Sequence, residues 1–161
     1  MKRILIVATL AAGLAGCAGS VSAPTAIQAL APEQKASLHI AEISADAAGG
    51  IAMSDADFGL VCQKVRSYIQ AQTPAVLADQ GLTMKIHFTK FDRGNAFARA
   101  MLIGLGQIVI EADVSLVDKD GKTVAVYKVA KDFALGGLAG ATTSVDDVED
   151  GFAKSVAEVV K

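Results

Sequence analysis

Ile108-Val109-Ile110-Glu111-Ala112-Asp113-Val114-Ser115-Leu116-Val117, followed at once by Asp118-Lys119-Asp120-Gly121, decides the fold class. On an extended chain Ile108, Ile110, Ala112, Val114 and Leu116 share one side, and Glu111, Asp113 and Ser115 share the other. Alternation with a period of two marks a strand buried on one face only. Asp118 to Gly121 is a hairpin turn, because glycine takes the positive φ that such turns impose. Lys122 to Phe133 is then the returning strand, with Val124, Val126, Tyr127 and Val129. Upstream, Leu82, Met84, Ile86 and Phe88 alternate with Lys85, His87 and Thr89, which predicts another half-buried strand over residues 82–91.

Helical spacing takes over on either side of these strands. Phe58, Val61, Cys62, Val65, Tyr68 and Ile69 recur every three or four residues, with Gln63, Lys64, Arg66 and Ser67 opposite, behind a cap at Ser54 or Asp55. Pro74 ends or kinks that helix. Val145, Val148, Phe152, Val156 and Val159 form a second apolar stripe behind Thr143 or Ser144, and Asp146 and Asp147 sit in the first turn, where negative charge suits the helix dipole. Ser37 to Ser44 reads as a first strand. The expected order is β-α-β-β-β-α. Its simplest packing is an α+β two-layer sandwich: a four-stranded mixed sheet, the first two strands parallel, with both helices on one face.

Between two of the strands lies Asp92-Arg93-Gly94-Asn95-Ala96-Phe97-Ala98-Arg99-Ala100-Met101-Leu102-Ile103-Gly104-Leu105-Gly106. Residues 96–105 are long enough for one or two helical turns, with Phe97, Met101 and Leu105 expected to face inward. Gly104-x-Gly106 precedes a strand and lacks a third glycine. A phosphate loop needs its glycines after a strand and before a helix, so a dinucleotide site is not expected. The two glycines read as places where the backbone turns closely into the sheet. Arg99 reads first as a surface or capping charge. A second loop of the same kind, with Gly136 and Gly137, occupies residues 134–143. If both loops lie at one end of the sheet, Arg99, Gly104, Gly106, Gly136 and Gly137 would mark a partner-contact region, since exposed apolar patches mark contact sites.

This segment, with Lys131-Asp132-Phe133 and the closing helix, resembles a family of small bacterial lipoproteins defined as domain of unknown function 4410; the resemblance spans roughly residues 37–161. It implies an envelope lipoprotein with an α+β fold. It implies no activity.

The start of the chain points the same way. Met1-Lys2-Arg3 is basic, Ile4 to Leu14 is an apolar run, and Leu14-Ala15-Gly16-Cys17 resembles the lipobox of lipoprotein precursors. A basic start and a short apolar core before small residues describe a signal peptide; the core falls short of the roughly 20 apolar residues of a membrane span. Residues 1–16 are expected to be removed and Cys17 to carry the lipid. Residues 17–36, rich in Ala, Ser, Pro and Gly, read as a flexible tether reaching on the order of 25 Å. The domain is expected over residues 37–161. Ala18 rather than Asp after the cysteine predicts sorting to the outer membrane, with the domain in the periplasm.

Composition narrows the function. Removal of Lys2 and Arg3 leaves 13 basic against 17 acidic residues, a net charge of about −4. That balance offers no nucleic-acid footprint and no basic patch for anionic lipid heads. Cys17 and Cys62 are the two cysteines; with Cys17 lipidated, Cys62 stays a free thiol, expected to be buried. Asp55-x-Asp57, Asp118-x-Asp120 and Asp146-Asp147 sit where Asp is favoured as a cap or turn residue, and no Cys/His spacing suits zinc. The expectation is a non-enzymatic, lipid-anchored envelope protein without metal or cofactor. It would bind or steady an envelope partner, or associate with its own copies. The alternative is an assembly subunit of an outer-membrane complex, resembling lipopolysaccharide-assembly lipoproteins.

Overall fold

The computed structural model describes residues 23–101, 105–133 and 142–161. Its elements are β1 (Thr25–Gln28), α1 (Pro32–Ala36), β2 (Ile40–Ala47), α2 (Asp55–Gln72), β3 (Leu82–Asp92), α3 (Ala96–Met101), β4 (Ile108–Val117), β5 (Thr123–Phe133) and α4 (Val145–Ala157), with single 3-10 turns at Pro74–Val76 and Glu158–Val160. The architecture is α+β on a single mixed sheet, in the order β1-β5-β4-β3-β2.

Both long helices begin with the same device. The Ser54 hydroxyl accepts from the Asp57 backbone N–H at 3.3 Å while Asp57 Oδ2 accepts from the Ser54 N–H at 2.7 Å. Ser144 and Asp147 repeat the arrangement at 3.1 and 2.8 Å. These are capping boxes with Asp in the acceptor role, and each satisfies two of the backbone donors that a helix start leaves free. Of the paired candidates in the sequence, Ser54 and Ser144 are the caps.

α2 and α4 lie over one face of the sheet. Phe88, at the centre of that face, touches Phe58 of α2 (ring centroids 6.0 Å apart) and Phe152 of α4 (5.4 Å). Around it are buried Met84, Ile86, Ile110, Ala112, Val114, Leu116, Val61, Val65, Ile69 and Val156. As expected, β2 runs parallel to β3 (Ile43 beside Met84, Ala47 beside Phe88), and β3, β4 and β5 are antiparallel neighbours.

The sheet has five strands rather than four, and the described residues hold four helices rather than two. The added strand comes from the stretch read as tether. Thr25–Gln28 pairs antiparallel with β5, Thr25 facing Lys128 and Gln28 facing Val126. The chain then turns inward: Leu30 is buried, and its N–H donates to the Tyr127 hydroxyl at 3.3 Å. Pro32 takes the first turn of α1, where its missing N–H costs nothing, and Lys35 Nζ donates to the Lys161 carbonyl at 2.9 Å. The first predicted strand is also displaced: it runs from Ile40 to Ala47, because Ser37 closes α1.

Candidate functional site

The pairing of β3, β4 and β5 brings the predicted contact loops' strand ends together. Asp92 faces Val109, and Ile108 faces Phe133, so the β3–β4 connection and the end of β5 lie at the same end of the sheet. The connection is a built hairpin. Asp92 Oδ1 accepts from the Gly94 N–H at 2.8 Å, and the Asn95 N–H donates to the Gly106 carbonyl at 3.1 Å. Asn95 Oδ1 accepts from the Ala98 N–H at 3.0 Å, covering a free donor at the start of α3. Gly94 has φ +62°, and a Cβ there would fall within 3.0 Å of the carbonyl oxygens of Gly106 and Gln107. Only glycine permits both the left-handed backbone and that approach.

Arg93 fastens the base of the hairpin to the helical layer. Its guanidinium lies 5.3 Å from the Phe91 ring centroid and 3.6 Å from Asp57 Oδ1. The Asp57 carboxyl is held below the usual carboxylate range, first by the Ser54 backbone N–H and hydroxyl, with Arg93 adding to the effect.

What the hairpin carries differs from the sequence expectation. Phe97, Met101 and Leu105 do not face inward: they are 75%, 66% and 53% exposed. Phe97 and Met101, four residues apart, stand on one face of α3. The reason is geometric. Asn95 starts α3 beyond the last strand pair, past the reach of the core, and among the described residues no long helix covers it. Among the predicted contact residues, Gly106 is at the hairpin's closing end with φ +66°. Arg99 lies in α3. Gly104, Gly136, Gly137 and the lipidation residue Cys17 lie outside the described residues, as does the side chain of Arg99.

The sheet face away from α2 and α4 is polar. Along one transverse row stand Asp46, His87, Asp113 and Lys128. His87 Nδ1 is 2.6 Å from Asp46 Oδ1, and Lys128 Nζ is 3.3 Å from Asp113 Oδ1. The latter contact is an ion pair without hydrogen-bond alignment, so this Asp113 oxygen is buried with no hydrogen bond. Lys90 and Glu111 make a looser pair at 3.9 Å. Exposed pairs of this kind contribute little stability; alternating in sign, they keep the face wetted.

A further group of titratable side chains lies between α2, α4 and β5. Tyr68 donates to Asp150 Oδ2 at 2.6 Å, which raises the phenol's pKa. Burial raises the Glu149 carboxyl, opposed by Lys64, and lowers the Lys131 ammonium. Cys62 is a free thiol, raised by partial burial. It is half-buried rather than buried, because the inward stripe of α2 is Val61, Val65 and Ile69, and Cys62 sits one residue beside it. Among the described residues no three His, Cys, Asp or Glu side chains gather as metal ligands do, and no helix is long and apolar enough to cross a membrane. A cleft of about 330 Å³ lies at the opposite end from α3, between Leu30, Leu38, His39, Gly81 and Val124.

Such a molecule is a small α+β protein with one mixed sheet, a helical layer on one face and an apolar hairpin projecting from one end. Residues 60–137 match the family model described as domain of unknown function (DUF4410), so the resemblance read from the sequence is shown over those residues. No curated protein matches the chain. Among solved structures it is similar to a PelC variant dodecamer from Paraburkholderia phytofirmans, with a TM-score of 0.55 at 13% identity over 88% of this chain and 96% of that chain. A second PelC dodecamer from the same organism aligns with a TM-score of 0.48 at 10% identity, over 75% of this chain and 86% of that one. Likeness at this identity is likeness of fold.

Proposed function

We propose that this protein is a non-enzymatic lipoprotein of the bacterial envelope, held to the periplasmic side of the outer membrane by lipid on Cys17, whose domain works by association with copies of itself. The observation that carries this reading is Leu14-Ala15-Gly16-Cys17 standing eight residues before the first strand of the domain. A cysteine so placed ties the folded sheet close to a bilayer. Several acyl chains hold firmly where one gives only reversible binding.

Self-association is supported by the sheet. β1 and β2 are its outer strands, and unpaired strand edges are templates for another chain. The polar face with Asp46, His87, Asp113 and Lys128 offers charges of both signs to a neighbour. The similar PelC protein is itself a dodecamer, which favours self-association over a single foreign partner.

Crosslinking in intact cells, with mass spectrometry of the products, tests the reading. Wild type is expected to give ladders of the chain with itself and a lipid-bearing Cys17 peptide. A single dominant foreign partner would instead favour the assembly-subunit alternative. Cys17→Ser is expected to leave an uncleaved precursor or a freely soluble product; a Cys17→Ser chain that still carries the lipid mass would end the lipoprotein reading. Membrane separation by density checks Ala18: wild type is expected in the outer-membrane fraction, and Ala18→Asp is expected to move it inward.

A further inference from the structure

We propose that the α3 hairpin is a second membrane contact, in which Phe97, Met101 and Leu105 enter the same lipid leaflet that holds the chain at Cys17; this rests on the lipid-anchor reading above.

The direction of β1 carries the inference. β1 is antiparallel to β5, and β5 ends at Phe133, beside the base of the hairpin. The chain upstream of Thr25 therefore arrives from the hairpin end of the sheet. From Lys128, opposite Thr25, to Phe133 is five residues, or about 17 Å along the strand. The hairpin base lies some two to three strands across, about 12 Å. Thr25 is thus about 20 Å from the place where α3 projects, by the same spacings. Seven residues, Ala18 to Pro24, separate Cys17 from Thr25, which makes eight Cα–Cα steps. Extended, they span at most about 28 Å; as a flexible coil they average about 16 Å. A tether of 20 residues would let the domain stand clear of lipid. Seven residues entering at this end have a mean span of about 16 Å against about 20 Å to α3, so they draw the hairpin end to the bilayer.

That end presents the side chains a lipid surface accepts. Phe97, Met101 and Leu105 are three of the five large apolar side chains exposed among the described residues, and they are the three most C-terminal of the five. The aromatic ring and thioether share a face of α3, and the closed backbone of Gly94, Asn95 and Gly106 holds that face outward. At the hairpin base Arg93 is paired with Asp57, and the opposite end, with α1, carries Lys35 and Lys161. Insertion of a few ångströms beneath the headgroups suits a short apolar element, and adds a second signal to the lipid.

The protein has no tryptophan, so a single introduced indole reports one position. Full-length, lipidated Phe97→Trp and, at the far turn, Lys122→Trp would be reconstituted in phosphatidylcholine vesicles with and without brominated acyl chains. For Phe97→Trp the emission is expected to shift to the blue and to lose more than about half its intensity in brominated lipid, since interfacial side chains sit some 5–10 Å deep. Lys122→Trp is expected to stay red and unquenched. Intact mass on the same samples establishes the lipid. A lipidated Phe97→Trp whose emission stays red, or is quenched no more than Lys122→Trp, overturns the proposal alone. A blue shift without bromine quenching also overturns it, by showing the hairpin covered by a second copy. Absence of lipid from Cys17 overturns the anchor reading on which it rests.

Discussion

Two glycines of the same backbone type make a calibrated pair. Gly94 has φ +62° and Gly121 has φ +79°, so a Cβ at either is strained by the left-handed backbone, at about 1–2 kcal/mol. Their surroundings differ. Nothing lies within 4 Å of a Cβ at Gly121, whereas at Gly94 it would overlap the carbonyls of Gly106 and Gln107. Relieving that overlap means parting the two arms of the hairpin against the bond from the Asn95 N–H to the Gly106 carbonyl. Overpacking of this kind costs about 1–3 kcal/mol. Gly121→Ala should therefore cost about 1–2 kcal/mol, and Gly94→Ala about 2–5 kcal/mol when the overlap is added. Urea unfolding followed by far-ultraviolet circular dichroism measures both. With a slope of about 1–3 kcal/mol per molar, the Gly94→Ala midpoint should fall at least about 0.3 M below that of Gly121→Ala. Equal midpoints would show that the hairpin arms do not approach as described.

Phe88→Ala removes the ring that links both helices to the sheet, and should cost about 3–5 kcal/mol in the same assay. Tyr127→Phe leaves the buried Leu30 N–H without its acceptor, at about 1–3 kcal/mol, and amide exchange should rise at residues 25–30 before it rises in β3 or β4. Ser144→Ala should cost about 1 kcal/mol through the lost cap. The Asp147 carboxyl is lowered first by the Ser144 backbone N–H and then by its hydroxyl. The stability this gives is present above the ordinary Asp range and is lost as pH falls through the lowered folded value, so acid titration of stability should show less of that loss in Ser144→Ala. Glu149 has the opposite sign: burial raises its carboxyl, so its contribution falls as pH rises from the ordinary Glu range through the raised value. Glu149→Gln should melt above wild type at neutral pH, with the gap closing in acid.

Much of this fold is legible without coordinates because its signals are local. The alternation of residues 82–91 and 108–117, the Asp118–Gly121 turn and the two serine caps each follow from side chains a few positions apart. β1 has no such signal. All four residues of Thr25-Ala26-Ile27-Gln28 are exposed, so no buried face marks them; they are a strand because β5 offers a free backbone edge about a hundred residues away. Pro32 at the start of α1 was a usable sign, hidden by its Ala- and Pro-rich surroundings. At the hairpin, spacing placed Phe97 and Met101 on one face, but not whether that face meets core or solvent. That depends on where β3 and β4 end relative to α2 and α4, which is a property of packing. Arg93 and Asp57 meet only after that packing is complete.

The way β1 joins the sheet also determines how the domain bears a load. A pull on the chain ahead of Thr25 acts along the strand axis, so the bonds between β1 and β5 are strained together in shear and do not open one after another like a zipper. Behind them, the buried Leu30 is bonded through its N–H to the Tyr127 hydroxyl, and α1 is latched to Lys161 by Lys35. Tension entering ahead of Thr25 is thereby shared between β5 and, through α1, Lys161.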